Sequence, residues 1–104
     1  MADLRWSLAA ERDLRSIEEF IAKDSPLRAV AFVDRLIRSV ESLGLTPRLG
    51  RTVPEFERSE LREVIFRGYR IVYLLSEPDL TILRVVHGAR DLASLVEREP
   101  WDLR

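Results

Sequence analysis

Hydrophobic residues keep one spacing in the first part of this chain and another in the last, and that switch constrains the fold more than any other feature. Ala10, Leu14, Ile17 and Ile21 recur at helical intervals, with Glu11, Arg12, Arg15, Glu18 and Glu19 between them. The pattern predicts an amphipathic helix over 7–23. Asp24-Ser25-Pro26 interrupts it, because Ser25 is suited to cap a helix and Pro26 to occupy its first position. A second helix follows with Ala29, Phe32, Val33, Leu36, Ile37, Val40 and Leu43 on its buried face. Gly44 stands where a helix end favours a residue that tolerates positive φ. Two antiparallel helices joined this closely form a helical hairpin.

Over 45–60 the periodicity fails. Pro47, Gly50 and Pro54 punctuate the segment LTPRLGRTVPEFERSE, which reads as a long ordered loop, a kind of segment that often carries function. Beyond it the pattern is β-like. Leu61–Phe66 and Tyr69–Leu75 are apolar-rich runs separated only by Arg67-Gly68, a two-residue hairpin signal. Ser76-Glu77-Pro78-Asp79 makes the next turn, and Leu80–Val86 is a third run. Leu4–Trp6 reads as a short first strand, and 89–99 as a last short helix before Pro100. The order is β-α-α-β-β-β(-α), an α+β fold with a helical hairpin packed on a small, curled antiparallel sheet. At 104 residues, without internal repeat or linker, residues 1–104 are expected to form one domain.

Composition narrows the chemistry. Cysteine is absent and there is one histidine, so no thiolate site exists and a metal would have only carboxylates for further ligands; neither metal nor cofactor is expected. No apolar run is long enough to span a bilayer, and the first residues do not form a signal peptide, so a cytoplasmic protein is expected. Sixteen of the seventeen basic residues are arginine, yet the net charge is −1. The near-neutral balance argues against non-specific coating of nucleic acid but permits a local basic patch. The arginine bias follows from GC-rich codon usage, or from recognition of phosphate and carboxylate.

Several stretches carry ionisable residues into apolar runs: GRTVPEF in the loop, REVIFRGYRIVYLL across the hairpin, and ILRVVHGARDL at the end of the last strand. With AAERDLRSIEEFI on the first helix, they make the sequence resemble the RelE/ParE superfamily of bacterial toxins from type II toxin–antitoxin modules. The resemblance spans Trp6 to about Leu95. It implies one of two activities. RelE-like members are ribosome-dependent endoribonucleases that cut mRNA, whereas ParE-like members poison DNA gyrase. It also implies an antitoxin whose disordered tail folds onto the toxin, giving a hetero-oligomer.

Metal-free RNA cleavage needs a base, cations at the phosphate and an acid. RelE-like members that rely on lysines carry two of them before the Tyr-Arg motif. Aligned on Tyr69-Arg70, those positions fall here on Leu61 and Glu63. The remaining ribonuclease set is Glu55 as base, Arg70 as phosphate clamp and His87 as acid, histidine being the side chain suited to transfer near neutrality. Each also has a structural reading. His87-Gly88 can simply turn the chain off the sheet, Arg70 can pair with Glu55 or Glu63, and Glu55 can anchor the loop. The HGARDL ending and the missing lysines look more like ParE. The resemblance then implies recognition, of target or antitoxin, by Arg62, Arg84, Arg90, Asp91, Arg98 and Trp101.

Overall fold

The computed structural model describes residues 3–88 together with Leu92, Ala93 and Leu95. Its elements are β1 (Leu4–Trp6), α1 (Leu8–Ala22), α2 (Pro26–Glu41), a 3-10 turn (Ser42–Gly44), β2 (Arg51–Thr52), β3 (Leu61–Phe66), β4 (Tyr69–Ser76) and β5 (Asp79–His87). Both helix starts follow from their caps. The Ser7 hydroxyl accepts from the Ala10 N–H at 3.0 Å, and the Ser25 hydroxyl from the Arg28 N–H at 3.2 Å, with Pro26 opening α2. Gly44 departs from expectation. The end of α2 tightens into a 3-10 turn, with the Leu45 N–H on the Ser42 carbonyl at 3.1 Å. No left-handed residue is needed there; among the described residues only Arg67 (φ +46) and Gly68 (φ +86) have positive φ. Those two form the β3–β4 turn, and positive φ at both central positions is what a type I′ hairpin requires.

The sheet has five strands in the order β1-β5-β4-β3-β2. It is antiparallel except where β1 lies parallel to β5, Leu4 opposite Leu80 and Trp6 opposite Ile82. The loop after α2 is less irregular than its sequence suggests, since Arg51–Thr52 pairs with Glu63 and Arg62 as an edge strand. A bulge interrupts β5: Val72 faces Arg84 but Tyr73 faces Ile82, so Leu83 is the extra residue.

The helical hairpin covers one face of the sheet, where Ala10, Ile17, Leu36, Val40, Ile71, Tyr73, Ile82 and Val85 form the main core. Val53, Leu61, Val72, Leu74, Leu83 and Val86 form a second core on the other face, closed by Leu92 and Leu95, which are helical. With both faces covered, β4 is buried without alternation from Arg70 to Leu75. The expected helix over 89–99 otherwise lies outside the described residues.

Candidate functional site

Three neighbouring strands and a turn bring four charges together on the sheet face away from the helices. Arg51 on β2 is directly opposite Glu63 on β3. Glu63 and Arg70 lie diagonally across the β3–β4 ladder, Glu63 facing Val72 and Arg70 facing Ile65. Glu55 comes from the turn after β2, folded by bonds from the Val53 N–H to Leu61 O and from the Phe56 N–H to Val53 O, each 3.1 Å.

The contacts run in series. Arg51 donates through Nε and Nη2 to Glu63 Oε2, at 2.8 and 2.7 Å. Arg70 Nε donates to Glu63 Oε1 at 2.6 Å. The Arg70 fork then donates to both oxygens of Glu55, at 2.6 and 2.7 Å. Glu63 is 1% exposed and Arg70 7%. Burial at this depth is tolerable only because each charge is paired and hydrogen-bonded. The bonds from Arg70 hold the Glu55 carboxyl below its ordinary range, against the opposing effect of burial. The Glu55 carboxylate in turn raises Arg70, which stays charged at any pH the fold survives.

Glu55 therefore pairs with Arg70 as one of the sequence readings allowed, and Arg70 takes Glu63 as well. A cleft of about 240 Å3 opens beside them, lined by Arg51, Pro54, Glu55, Ile65, Arg70 and Gly88. His87 is not brought to this cluster. Its ring packs edge-on against Tyr69 at 5.7 Å, and Tyr69 packs against Phe32 of α2 at 5.8 Å, so the histidine belongs to the helix side of the sheet. Gly88 continues the ladder, its N–H on Gly68 O at 2.8 Å.

Two other expected recognition residues are engaged within the fold. Arg62 donates to the carbonyls of Gly50 at 2.9 Å and Ser59 at 3.1 Å, fastening the loop. Arg84, 5% exposed, grips Asp13 of α1 through Nε and Nη2 at 2.8 and 3.0 Å. The bulge at Leu83 directly precedes Arg84 in β5. Asp13 also accepts from the Val85 N–H at 2.8 Å, beyond the point where β1 stops pairing with β5. Arg90, Asp91, Arg98 and Trp101 lie outside the described residues.

Asp13 and Arg51 are the site residues that the sequence reading missed. A signal for Asp13 existed: an arginine inside the apolar run Leu80–Val86 requires a buried partner, and Asp13 flanks the apolar stripe of α1. Tyr73 has a role beyond packing. Its hydroxyl donates to Pro47 O at 2.7 Å and accepts from the Gly50 N–H at 2.9 Å, pinning the loop that carries Arg51 and Glu55. Burial raises its pKa.

Known proteins agree with this architecture. Residues 4–92 match the family described as ParE toxin of type II toxin–antitoxin system, parDE. Toxin RelE2 of Caulobacter vibrioides is 34% identical over 91 residues, covering 86% of this chain and 99% of that protein. Putative toxin Y4kP of Sinorhizobium fredii is 37% identical over 87 residues, covering 82% and 86%. Among solved structures, a chain of the chromosomal ParDE system from P. aeruginosa superposes with a TM-score of 0.70 at 21% identity, covering 84% of this chain and 96% of that one. A chain of the RelBE2 toxin–antitoxin complex from Mycobacterium tuberculosis gives 0.61, also at 21% identity, covering 83% and 96%. Sequence and fold thus agree that the chain belongs to the ParE toxin family of type II toxin–antitoxin systems, within the RelE/ParE superfamily.

Proposed function

We propose that this toxin acts by binding and poisoning DNA gyrase, and that a cognate antitoxin holds it inactive in a hetero-oligomeric complex. The observation that carries the first part is the disposition of the candidate acid–base residues. Both oxygens of Glu55 accept from Arg70, while the His87 ring lies against Tyr69 on the other side of the sheet. A base and an acid must flank one phosphate to cleave RNA, and placement on opposite faces of the sheet favours the reading without that chemistry. A gyrase poison needs no such pair, only a specific surface, because the enzyme it binds supplies the chemistry. Arg62 and Arg84 are occupied inside the fold, so target recognition falls to Arg90, Asp91, Arg98 and Trp101 in the terminal segment. The solved relatives, a ParDE system and a RelBE2 complex, support the antitoxin. Both partners place the action in the cytoplasm, and a module of this kind serves plasmid stabilisation.

The test is a supercoiling and cleavage-complex assay with antitoxin-freed protein, run beside ribosomal mRNA cleavage. Loss of supercoiling with intact mRNA is expected. Cut mRNA with normal supercoiling would overturn the reading and make Glu55, Arg70 and His87 the catalytic suspects.

A further inference from the structure

Arg70 holds two carboxylates that are themselves held very differently. Glu63 belongs to β3, its side chain is fully buried, and Arg51 grips it from the next strand. Glu55 belongs to an exposed turn, its side chain is 30% exposed, and it borders the cleft that Arg51, Ile65 and Gly88 also line. The segment between Val53 and Leu61 has the build of a lid. Its ends are buried and joined to each other, Val53 N–H to Leu61 O, while Pro54, Glu55, Glu57, Arg58 and Ser59 are exposed. The second limb is tied down by the Leu75 N–H on Glu60 O at 2.7 Å and by Arg62 on Ser59 O. The first limb, 54–57, reaches the sheet through the two bonds from Arg70 to Glu55 and the packing of Phe56 on the second core.

Breaking a buried ion pair is costly when nothing remains to pair the charge left behind. Here Glu63 stays on Arg70 Nε when Glu55 leaves, so the guanidinium is never stranded. Its two Nη groups, which Glu55 engages, form a planar fork that takes carboxylate and phosphate alike. Arg51, whose side chain is 63% exposed, stands on the same cleft as a second cation. Pro54 and the exposed Ile65 give the cleft an apolar wall.

We propose that Glu55 is the built-in occupant of an oxyanion site and that it latches the 54–57 limb as a lid. An external carboxylate or phosphate entering the cleft takes the Arg70 fork in its place, and the limb swings off the sheet. The contact is autoinhibitory, because a tethered carboxylate competes at high effective concentration with any free oxyanion. The apolar wall favours a ligand that carries its charge on an apolar body. The device concerns access to Arg70 and no chemistry there, so it does not depend on the gyrase reading.

The test is a titration of the full chain with acetate, inorganic phosphate and chloride at one ionic strength. It is followed by NMR on the Arg70 Nε–H and on hydrogen exchange of the Phe56 and β4 amides. In the natural chain an oxyanion should speed exchange of the Phe56 N–H, which is bonded to Val53 O, and leave the β4 amides unchanged. Glu55→Ala, its fold checked by a melting curve, should bind the oxyanion about tenfold or more tighter, since the internal competitor is gone. Acetate acting alone assigns the site to carboxylates, and phosphate acting alone assigns it to phosphates. An equal effect of chloride means screening only and overturns the proposal, as does an unchanged affinity in folded Glu55→Ala. If that variant does not fold, the natural chain decides by itself: Phe56 and β4 amides that respond together, or not at all, mean that there is no lid.

Discussion

The face of the sheet that carries Arg70 and the groove beside α2 use the same side chain in opposite ways. At the first, Arg51, Glu63, Arg70 and Glu55 alternate in sign, and the charges cancel within the molecule. At the second, Arg28, Arg35 and Arg67 surround apolar rings with one nearby aspartate. A buried arginine already saturated by carboxylates stabilises one arrangement of the loop and meets a ligand only by giving up a partner. An exposed arginine without a partner contributes little to folding and keeps its charge available. Counting arginines, as composition does, cannot separate the two; their partners do.

The largest effect should come from cutting the network at its buried centre. Glu63→Ala leaves Arg70 with Glu55 alone and frees Arg51, and should lower stability by roughly 3 kcal/mol, read from urea unfolding. A loss under about 1 kcal/mol would mean that the network is not structural. Next is Gly50→Ala. An added Cβ would lie 2.5 Å from the Tyr73 hydroxyl and 2.6 Å from Glu63 O, so the loop must move off the sheet. We expect a loss of about 1–3 kcal/mol, with proteolysis appearing first over 45–60. Thermal melts give the loss, and fragment masses after limited proteolysis place the cut.

The third effect is one of pH. The folded pKa of Glu55 lies below its ordinary 4.5, so its pairing adds stability that is fully present above about that pH and is lost as pH falls through the folded value. Glu55→Gln should flatten the acid limb of a stability–pH curve and leave the neutral-to-alkaline part parallel to that of the natural chain. Identical acid limbs would count against the pairing. The smallest effect belongs to the groove. Arg67→Asn relaxes a left-handed backbone, and should raise stability by a few tenths of a kcal/mol in the same urea titration. Loss of stability on that change would reverse the contrast between the two regions.

Much of this could be read in the sequence. Ser25 and Pro26 announced the start of α2, and Arg67-Gly68 announced the hairpin, because capping and positive φ are local demands met by local residues. The pairing of Arg70 with a glutamate was legible too, since a charge in an apolar strand needs a partner. The parts that were hidden depend on distant pairing. Three residues at Leu4–Trp6 carry too little pattern to reveal a parallel neighbour 76 positions away, as Leu4 and Leu80 are. The clasp of Arg84 on Asp13 joins residues 71 positions apart, and the extra residue at Leu83 leaves no mark in the sequence pattern. The groove arginines escaped notice because each looks like an ordinary surface charge until the hairpin tip meets α2.

The parallel pairing of β1 with β5 also bears on when the toxin comes into being. The ribosome makes β1 first, but its partner spans Asp79–His87. Joining them closes a loop whose entropy, on a flexible-chain scale, costs about 4 kcal/mol. The Ser7 hydroxyl bond to Leu83 O and the Asp13 clasp on Arg84 wait for the same event. A growing chain can form its helical hairpin early, yet α1 has no sheet to rest on until β5 has left the ribosome. Synthesis therefore passes through an interval in which the protein is mostly made and not yet harmful, and a partner already present could meet it before it is armed.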